Sequence, residues 1–428
     1  MTEKKRNSFP FPLFVMFFVL SLPGPLLVLS QCSQKPVIFN FGDSNSDTGG
    51  FSEGLGLRFG PPSGRVFFHK PSGRLCDGRL MIDFLCESVG SDYLTPYLRS
   101  VGSNFTNGVN FAISGSATLP KDRPFNLYIQ VMQFLQFQSR SLEFIPKGYK
   151  DLVDEEGFNN AIYTIDIGQN DLAGSFTYLS YSQVIQRIPS FVTEIKNAIW
   201  TIYQHGGRNF WVHNTGPLGC LPQKLATAST NASDIDNHGC LQSLNNAAKE
   251  FNTLLKAACG ELRSALMNAT IVYVDVYAIK YDLIANAVLN GFENPSTACC
   301  GYGGPPYNFN QSVTCGMPGF NVCNEGLKYV SWDGVHYTEA ANGNNRFGFV
   351  SFLLSYSFHK KNCSPAPPTP INFGDSNSDT GGVLAGTGRL GDGHLINNFF
   401  SKFCLHNIGP WGCSPKELAI ASPQPQGC

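Results

Sequence analysis

Ser44 stands where an apolar run, Val37-Ile38-Phe39-Asn40-Phe41, stops at a Gly42-Asp43-Ser44 turn. A serine hydroxyl becomes a nucleophile when an imidazole accepts its proton and a carboxylate holds that imidazole in one tautomer. Far along the chain, Ser331-Trp332-Asp333-Gly334-Val335-His336 supplies both, with Asp333 three residues before His336. One turn can present those two side chains together. Acyl transfer also needs donors aimed at the oxyanion of the tetrahedral intermediate, where one donor is worth on the order of 10²–10³ in rate. Gly115, after Val109-Asn110-Phe111-Ala112-Ile113-Ser114, can offer a bare backbone N–H; Asn170, after Ile165-Asp166-Ile167-Gly168-Gln169, can offer a side-chain amide. Singly, each of these residues reads as an ordinary turn or cap residue. In succession at the ends of apolar runs they read as a site.

The elements that must hold them follow from periodicity. Apolar, β-branched runs recur at 36–41, 109–113, 161–166, 209–213 and 271–275, each closed by a polar or glycine-marked turn. Between them lie helical patterns such as Leu80, Phe84, Leu85, Val89 and Ile185, Ile188, Val192, Ile195, Ile199. Alternating strands and helices predict a mostly parallel five-stranded sheet in a three-layer α/β/α sandwich. In such a sheet ligands bind outside the carboxyl ends of the strands, where Ser44 falls. Residues 291–330, rich in Gly, Pro, Asn and Cys, predict a stapled loop near the site, and an apolar helix from about Thr338 to Phe358 would close the domain.

Gly42-Asp43-Ser44-Asn45-Ser46 lacks the second glycine of a nucleophile elbow, which disfavours an ordinary α/β-hydrolase. The four blocks instead resemble those of the GDSL esterase/lipase family, also called SGNH hydrolases, with Ser44, Gly115, Asn170 and His336 in the four named positions and Asp333 as the triad acid. Phe41 to Gly50, Asp166 to Asp171 and Trp332 to Tyr337 are similar to the large secreted plant branch, over about residues 33 to 360. The resemblance implies a flavodoxin-like sheet and ester hydrolysis with no metal and no cofactor. It also brings a rival, since some members of that branch are described as fucosidases. Glycoside hydrolysis usually needs two carboxylates flanking the bond; Asp43, Asp47, Asp166 and Asp171 lie near predicted strand ends, but no spacing marks a pair. A second rival is a glycoprotein that only binds a small ligand. The other histidines considered, His69, His205, His213, His238 and His359, lack the Asp-x-x-His setting, though His213 ends a strand and could line the pocket.

Formal net charge is −1 with 14% charged residues, so the chain has no field to hold nucleic acid. The expected partner is a small-molecule ester, and composition leaves the oligomeric state open. Lys4, Lys5 and Arg6 followed by an apolar stretch read as a signal peptide over residues 1–30, with Pro10, Pro12, Pro23 and Pro25 arguing against a stable membrane anchor. Export to the cell wall or apoplast is expected. Fourteen cysteines and sequons at Asn104, Asn231, Asn268, Asn310 and Asn362 agree with an oxidising route. Cys299, Cys300, Cys315 and Cys323 therefore read as disulfide partners of undetermined pairing. The hydrolase domain is expected over 31–362 and a Pro-rich linker over 363–370. Residues 371–428 then repeat earlier segments: Asn372 to Gly382 copies Asn40 to Gly50, and His406 to Cys413 mirrors His213 to Cys220. With most of a second sheet missing, this tail is not expected to form an independent domain.

Overall fold

The computed structural model describes residues 36–228, 232–324 and 328–344. The central sheet is built from Ile38–Gly42 (β1), Gly108–Asn110 (β2), Ile162–Asp166 (β3), Asn209–His213 (β4) and Thr270–Val274 (β5). Their order is β2-β1-β3-β4-β5 and every pairing is parallel. The five apolar runs of the sequence are these strands, in the expected α/β/α class. Parallel strands covered on both faces read as continuous apolar runs because side chains alternate between two buried layers. Here Phe39, Phe41, Phe210, Val212, Ile271 and Tyr273 point into one layer. Ile38, Trp211, Val272 and Val274 point into the other.

Nine α-helices connect and flank the strands among the described residues: Gly50–Leu55 (α1), Met81–Ser88 (α2), Leu127–Phe144 (α3), Glu155–Asn160 (α4), Gln169–Ser175 (α5), Tyr181–Gln204 (α6), Pro222–Thr227 (α7), Gln242–Ala265 (α8) and Val276–Ala285 (α9). Helices α3, α6 and α8 cover the aromatic layer. Val184, Ile188, Phe191, Val192, Ile195, Ile199 and Ile202 form the buried stripe of α6, at helical spacing. Phe39 stacks on Phe158 with ring centroids 5.2 Å apart and meets Phe134 edge-on at 5.3 Å. Each such buried ring contributes about 1.5–3 kcal/mol of transfer free energy, so this layer fixes how β1 is presented to the site. Met81, Ile82 and Leu85 of α2 cover the opposite face.

The sequence predicts a strand over 109–113, yet β2 is shorter. Phe111 N–H and Ile113 N–H still reach Asn40 O at 2.8 Å and Gly42 O at 3.2 Å. Ala112 N–H, facing away from β1, is taken by the Asn110 side chain at 3.0 Å, which turns the chain off the sheet edge.

The Cys-rich segment forms two small ladders. Asn294–Ala298 (β6) pairs in parallel with Tyr329–Ser331 (β9), and Cys300–Gly301 (β7) pairs antiparallel with Asn321–Val322 (β8). Disulfides Cys299–Cys323 and Cys300–Cys315 staple it, resolving the pairing that composition left open, and Cys220–Cys240 ties the turn after β4 to the start of α8. Cys76, Cys86 and Cys259 are buried thiols. Residues 339–344 are helical, and the rest of the helix predicted to 358 lies outside the described residues. So do the 1–30 leader, the 363–370 linker, the 371–428 repeat, Asn231, Asn362 and His359. Among the described residues no helix is long and apolar enough to cross a membrane, and no group of three or more His, Cys, Asp or Glu side chains is gathered to hold a metal ion.

Candidate active site

Ser44 and Gly115 lie on loops at the carboxyl edge of the sheet, Asn170 in the first turn of α5 after β3, and Asp333 and His336 on the turn after β9. Ser44 follows β1 and is only 5% exposed. Its turn is closed by Asp43 N–H donating to Asp166 O at 3.2 Å and Ser46 N–H to Asp43 O at 3.2 Å. Gly42 has no room for a side chain, because a Cβ there would stand 2.5 Å from Asp166 O and 2.7 Å from Ser46 Oγ. β1 thus runs directly against β3 up to the residue before Asp43. Among the described residues no acceptor takes the Ser44 N–H.

Gly115 sits in a left-handed turn with φ +82°, exposed, with open space where a Cβ would point. This backbone favours glycine, and no described residue accepts its N–H. Asn170, in the first turn of α5, donates its amide to Ser116 O at 2.9 Å and, more distantly, toward Asp43 Oδ2 at 3.4 Å. One amide hydrogen is therefore fixed on the Gly115 loop while the other is weakly engaged.

The turn after β9 carries the Asp-His pair. Asp333 Oδ1 accepts the N–H of Val335 at 3.0 Å and of His336 at 2.8 Å; Oδ2 lies 2.7 Å from His336 Nδ1. His336 O in turn accepts Trp332 N–H at 2.7 Å, closing the turn. The stapled segment supports it from behind, with Cys299 N–H donating to Ser331 O and Cys300 N–H to Trp332 O. His336 Nε2 is buried and has no hydrogen-bond partner. The Ser44 hydroxyl is therefore not bonded to it, an open geometry common in unliganded sites that tightens with substrate.

Electrostatics separate the buried groups. Burial opposes the charge of Asp333, but the charge and hydrogen bonds of His336 outweigh it and hold the carboxyl below its ordinary range. Burial likewise depresses the His336 imidazole, yet Asp333 wins and its pKa is raised. Asp43 is pushed up to about 7, first by burial and then by the negative charge of Asp166. Asp166 itself, although buried, is held low by His213 and Lys280. Strand register explains this neighbourhood: Gly42 pairs with Asp166 and Asp166 with His213, so the ends of β1, β3 and β4 stand side by side. His213 Nδ1 is 3.8 Å from Asp166 Oδ2.

A family model described as GDSL-like lipase/acylhydrolase matches residues 38–344. The chain belongs to that family. It is 54% identical over 378 residues to a GDSL esterase/lipase of Arabidopsis thaliana, covering 87% of this chain and 99% of the relative. GDSL esterase/lipase LIP-4 of the same plant is 53% identical over 374 residues, covering 84% and 96%. A third Arabidopsis relative, named alpha-L-fucosidase 3, is 47% identical over 354 residues, covering 77% and 95%. By family the chain is an esterase/lipase-type hydrolase on an α/β fold.

Three braces of the site escaped the sequence reading. Gln130 of α3, fully buried, accepts Gly42 N–H at 2.9 Å and donates to Gly42 O at 2.8 Å, Phe125 O at 3.0 Å and Ser116 Oγ at 3.1 Å. It ties the serine turn of this GDSL hydrolase to the Gly115 loop. Asp47 accepts Gly49 N–H at 2.8 Å, Ser114 N–H at 2.8 Å and Ser114 Oγ–H at 2.9 Å, joining α1 to the same loop. Asp171 takes the N–H of Thr118 at 2.9 Å and of Leu119 at 3.1 Å, and the Thr118 hydroxyl at 2.7 Å. Asp47 and Asp171 are thus fully occupied as anchors. The remaining histidines do not approach the pair: His69 and His205 cap nearby carbonyls at 3.1 and 2.8 Å, and His238 packs edge-on to Tyr281.

Proposed function

We propose that the protein hydrolyses carboxylic esters through Ser44, His336 and Asp333, with Ser44 N–H, Gly115 N–H and the Asn170 amide holding the oxyanion. Ser44 Oγ attacks the ester carbonyl carbon as His336 Nε2 takes its proton. The carbonyl oxygen becomes an oxyanion facing the three donors. Collapse breaks the bond to the alcohol oxygen, which leaves with the proton from the imidazolium. Water then attacks the acyl-serine, gives a proton to Nε2, and the acid departs as that proton returns to Oγ. Asp333 keeps Nδ1–H pointed at itself, so Nε2 is the basic nitrogen, and it stabilises the imidazolium at each step.

The observation that carries this reading is the 2.7 Å Asp333–His336 contact together with a buried Nε2 that nothing else engages. The free N–H groups of Ser44 and Gly115 support the oxyanion assignment, because donors already satisfied within the protein would have to be uncoupled first. We further propose export through the 1–30 leader. Exposure of the sequon asparagines Asn104, Asn268 and Asn310 suits glycosylation there, and three disulfides suit an oxidising compartment.

The relative named for fucosidase activity keeps a glycosidic substrate in view. That chemistry would leave Ser44 and His336 without a role, so the ester reading is preferred. The test is labelling of the secreted protein with a fluorophosphonate, which modifies serines activated by a base, followed by peptide mapping. Label on Ser44 that disappears in His336→Ala is expected. A folded protein that takes no label, or one that releases nitrophenol from a nitrophenyl fucoside and not from nitrophenyl acetate, would overturn it.

A further inference from the structure

Lys280 of α9 is a buried cation that the mechanism above does not use. It is 3% exposed, with its stem against Gly216 in the loop leaving β4. Its ammonium lies over the ring of Tyr337, 4.3 Å from the centroid, and Tyr337 follows His336 directly. No described carboxylate is close enough to pair with it, though it sits at the edge where the ends of β1, β3 and β4 bring Asp43, Asp166 and His213 together. A buried ammonium is costly unless some negative charge offsets it. The negative charges that act on Lys280 are those of Asp166 and then Asp43.

The position of that pair matters for the reaction. Asp43 Oδ2 lies 3.4 Å from the Asn170 amide nitrogen, which also donates to Ser116 O at 2.9 Å. A full negative charge there would compete with an oxyanion for the same amide. It would also draw a proton onto His336, which Asp43 already favours electrostatically. Both effects lower the fraction of enzyme poised to react at neutral pH.

We propose that Lys280 is a positioning residue for ester hydrolysis: its buried ammonium offsets the Asp43–Asp166 carboxylates beneath the serine turn, keeping His336 basic-form and the Asn170 amide free of opposing charge. This rests on the Ser44 mechanism proposed above. The groups around the ammonium are Asp43 after β1, Asp166 on β3, His213 on β4, His336 and Tyr337 on the turn after β9, and Tyr277 on α9 itself, which acts on Tyr337. Lys280 bears on two of them: it lowers His336, and behind His213 it helps hold Asp166 ionised, so that the proton of the pair resides on Asp43.

The test compares Lys280→Met, Asp43→Asn and the double variant with the wild type, reading kcat and KM for nitrophenyl acetate from pH 5 to 9. Removing the cation should move the acid limb of kcat/KM upward by about one pH unit, equal to a tenfold loss at a fixed pH on that limb. The loss should fall on kcat, with KM nearly unchanged. Asp43→Asn alone, which removes the carboxylate that raises His336, should move the limb downward, and the double variant should return it close to the wild-type position. A purely structural role for Lys280 would lower activity without moving the limb, and that result in a folded, fluorophosphonate-reactive variant would overturn the proposal. Should Lys280→Met not fold, an unmoved limb in Asp43→Asn overturns it equally. A wild type that neither labels nor hydrolyses the ester refutes the Ser44 mechanism instead, which separates the two failures.

Discussion

Replacing Gln130 by Leu removes one side chain and breaks four hydrogen bonds, but their costs are unequal. Gly42 O keeps Ile113 N–H as a donor, and Phe125 O and Ser116 Oγ keep each other at 2.7 Å. Gly42 N–H alone is orphaned, inside a turn closed to water. Leaving one buried donor unpaired costs about 1–3 kcal/mol, so a loss near ~2 kcal/mol is expected, roughly 30-fold in the folding equilibrium. The functional loss should be larger than fold stability suggests, because the serine turn and the Gly115 loop lose their common strut and ~1 Å of misplacement can cost ~10²-fold. Gln130→Glu sharpens the test. Its ionised carboxylate would face Gly42 O and Phe125 O, raising its folded pKa above the ordinary ~4.3. A raised carboxyl pKa means the folded state holds the proton longer, so stability relative to wild type should recover as pH falls through that value. Urea unfolding followed by the fluorescence of buried Trp211 and Trp332, repeated from pH 7.5 down to 4.5, measures this. Equal unfolding midpoints for wild type and both variants, with unchanged kcat, would refute the reasoning.

The pH profile and the disulfides give two more tests. His336 is raised above its usual ~6.5, so kcat/KM should fall on acidification through a midpoint above that value, and a profile flat from pH 8 to 5 would remove His336 as base. The same shift stabilises the fold most below the unfolded imidazole pKa and is lost as pH rises through the folded one, so activity and this share of stability should run in opposite directions. Reducing Cys300–Cys315 opens a 15-residue separation, for which loop entropy gives about 3 kcal/mol. Cys300→Ser with Cys315→Ser should lose esterase activity and soften His336 protection in hydrogen exchange, while β1 to β5 keep theirs; equal loss across the sheet would show the staple to be global.

What the sequence disclosed and what it withheld divide along contact range. Ser44, Asp333 and His336 are legible because each motif is local: a strand ending in a turn, and an acid three residues before a histidine. The strands are legible because burial on both faces forces apolar runs. Gln130 was hidden, since nothing in an amphipathic helix announces that one glutamine reaches back across 88 residues to Gly42. Asp47 and Asp171 were visible as carboxylates near strand ends, but only the fold shows them spent on backbone N–H groups. Lys280 looked like any lysine of a helix. The shortness of β2 depended on a side chain, Asn110, competing with the ladder for Ala112 N–H. Cysteine pairing was open because four cysteines allow three connectivities.

The proposed nucleophile lies near the start of the described chain and its proposed base near the end, with four of the five strands of the central sheet laid down between them. Synthesis delivers these parts in order, and domains tend to organise from the amino terminus as the chain emerges. The nascent polypeptide therefore completes β5, and can bury both faces of its sheet, well before residue 336 exists. For that interval the serine turn would stand without its proposed base. On the proposed mechanism, a chain cut short between β5 and the Asp-x-x-His turn holds the whole central sheet but lacks the base needed to turn over an ester.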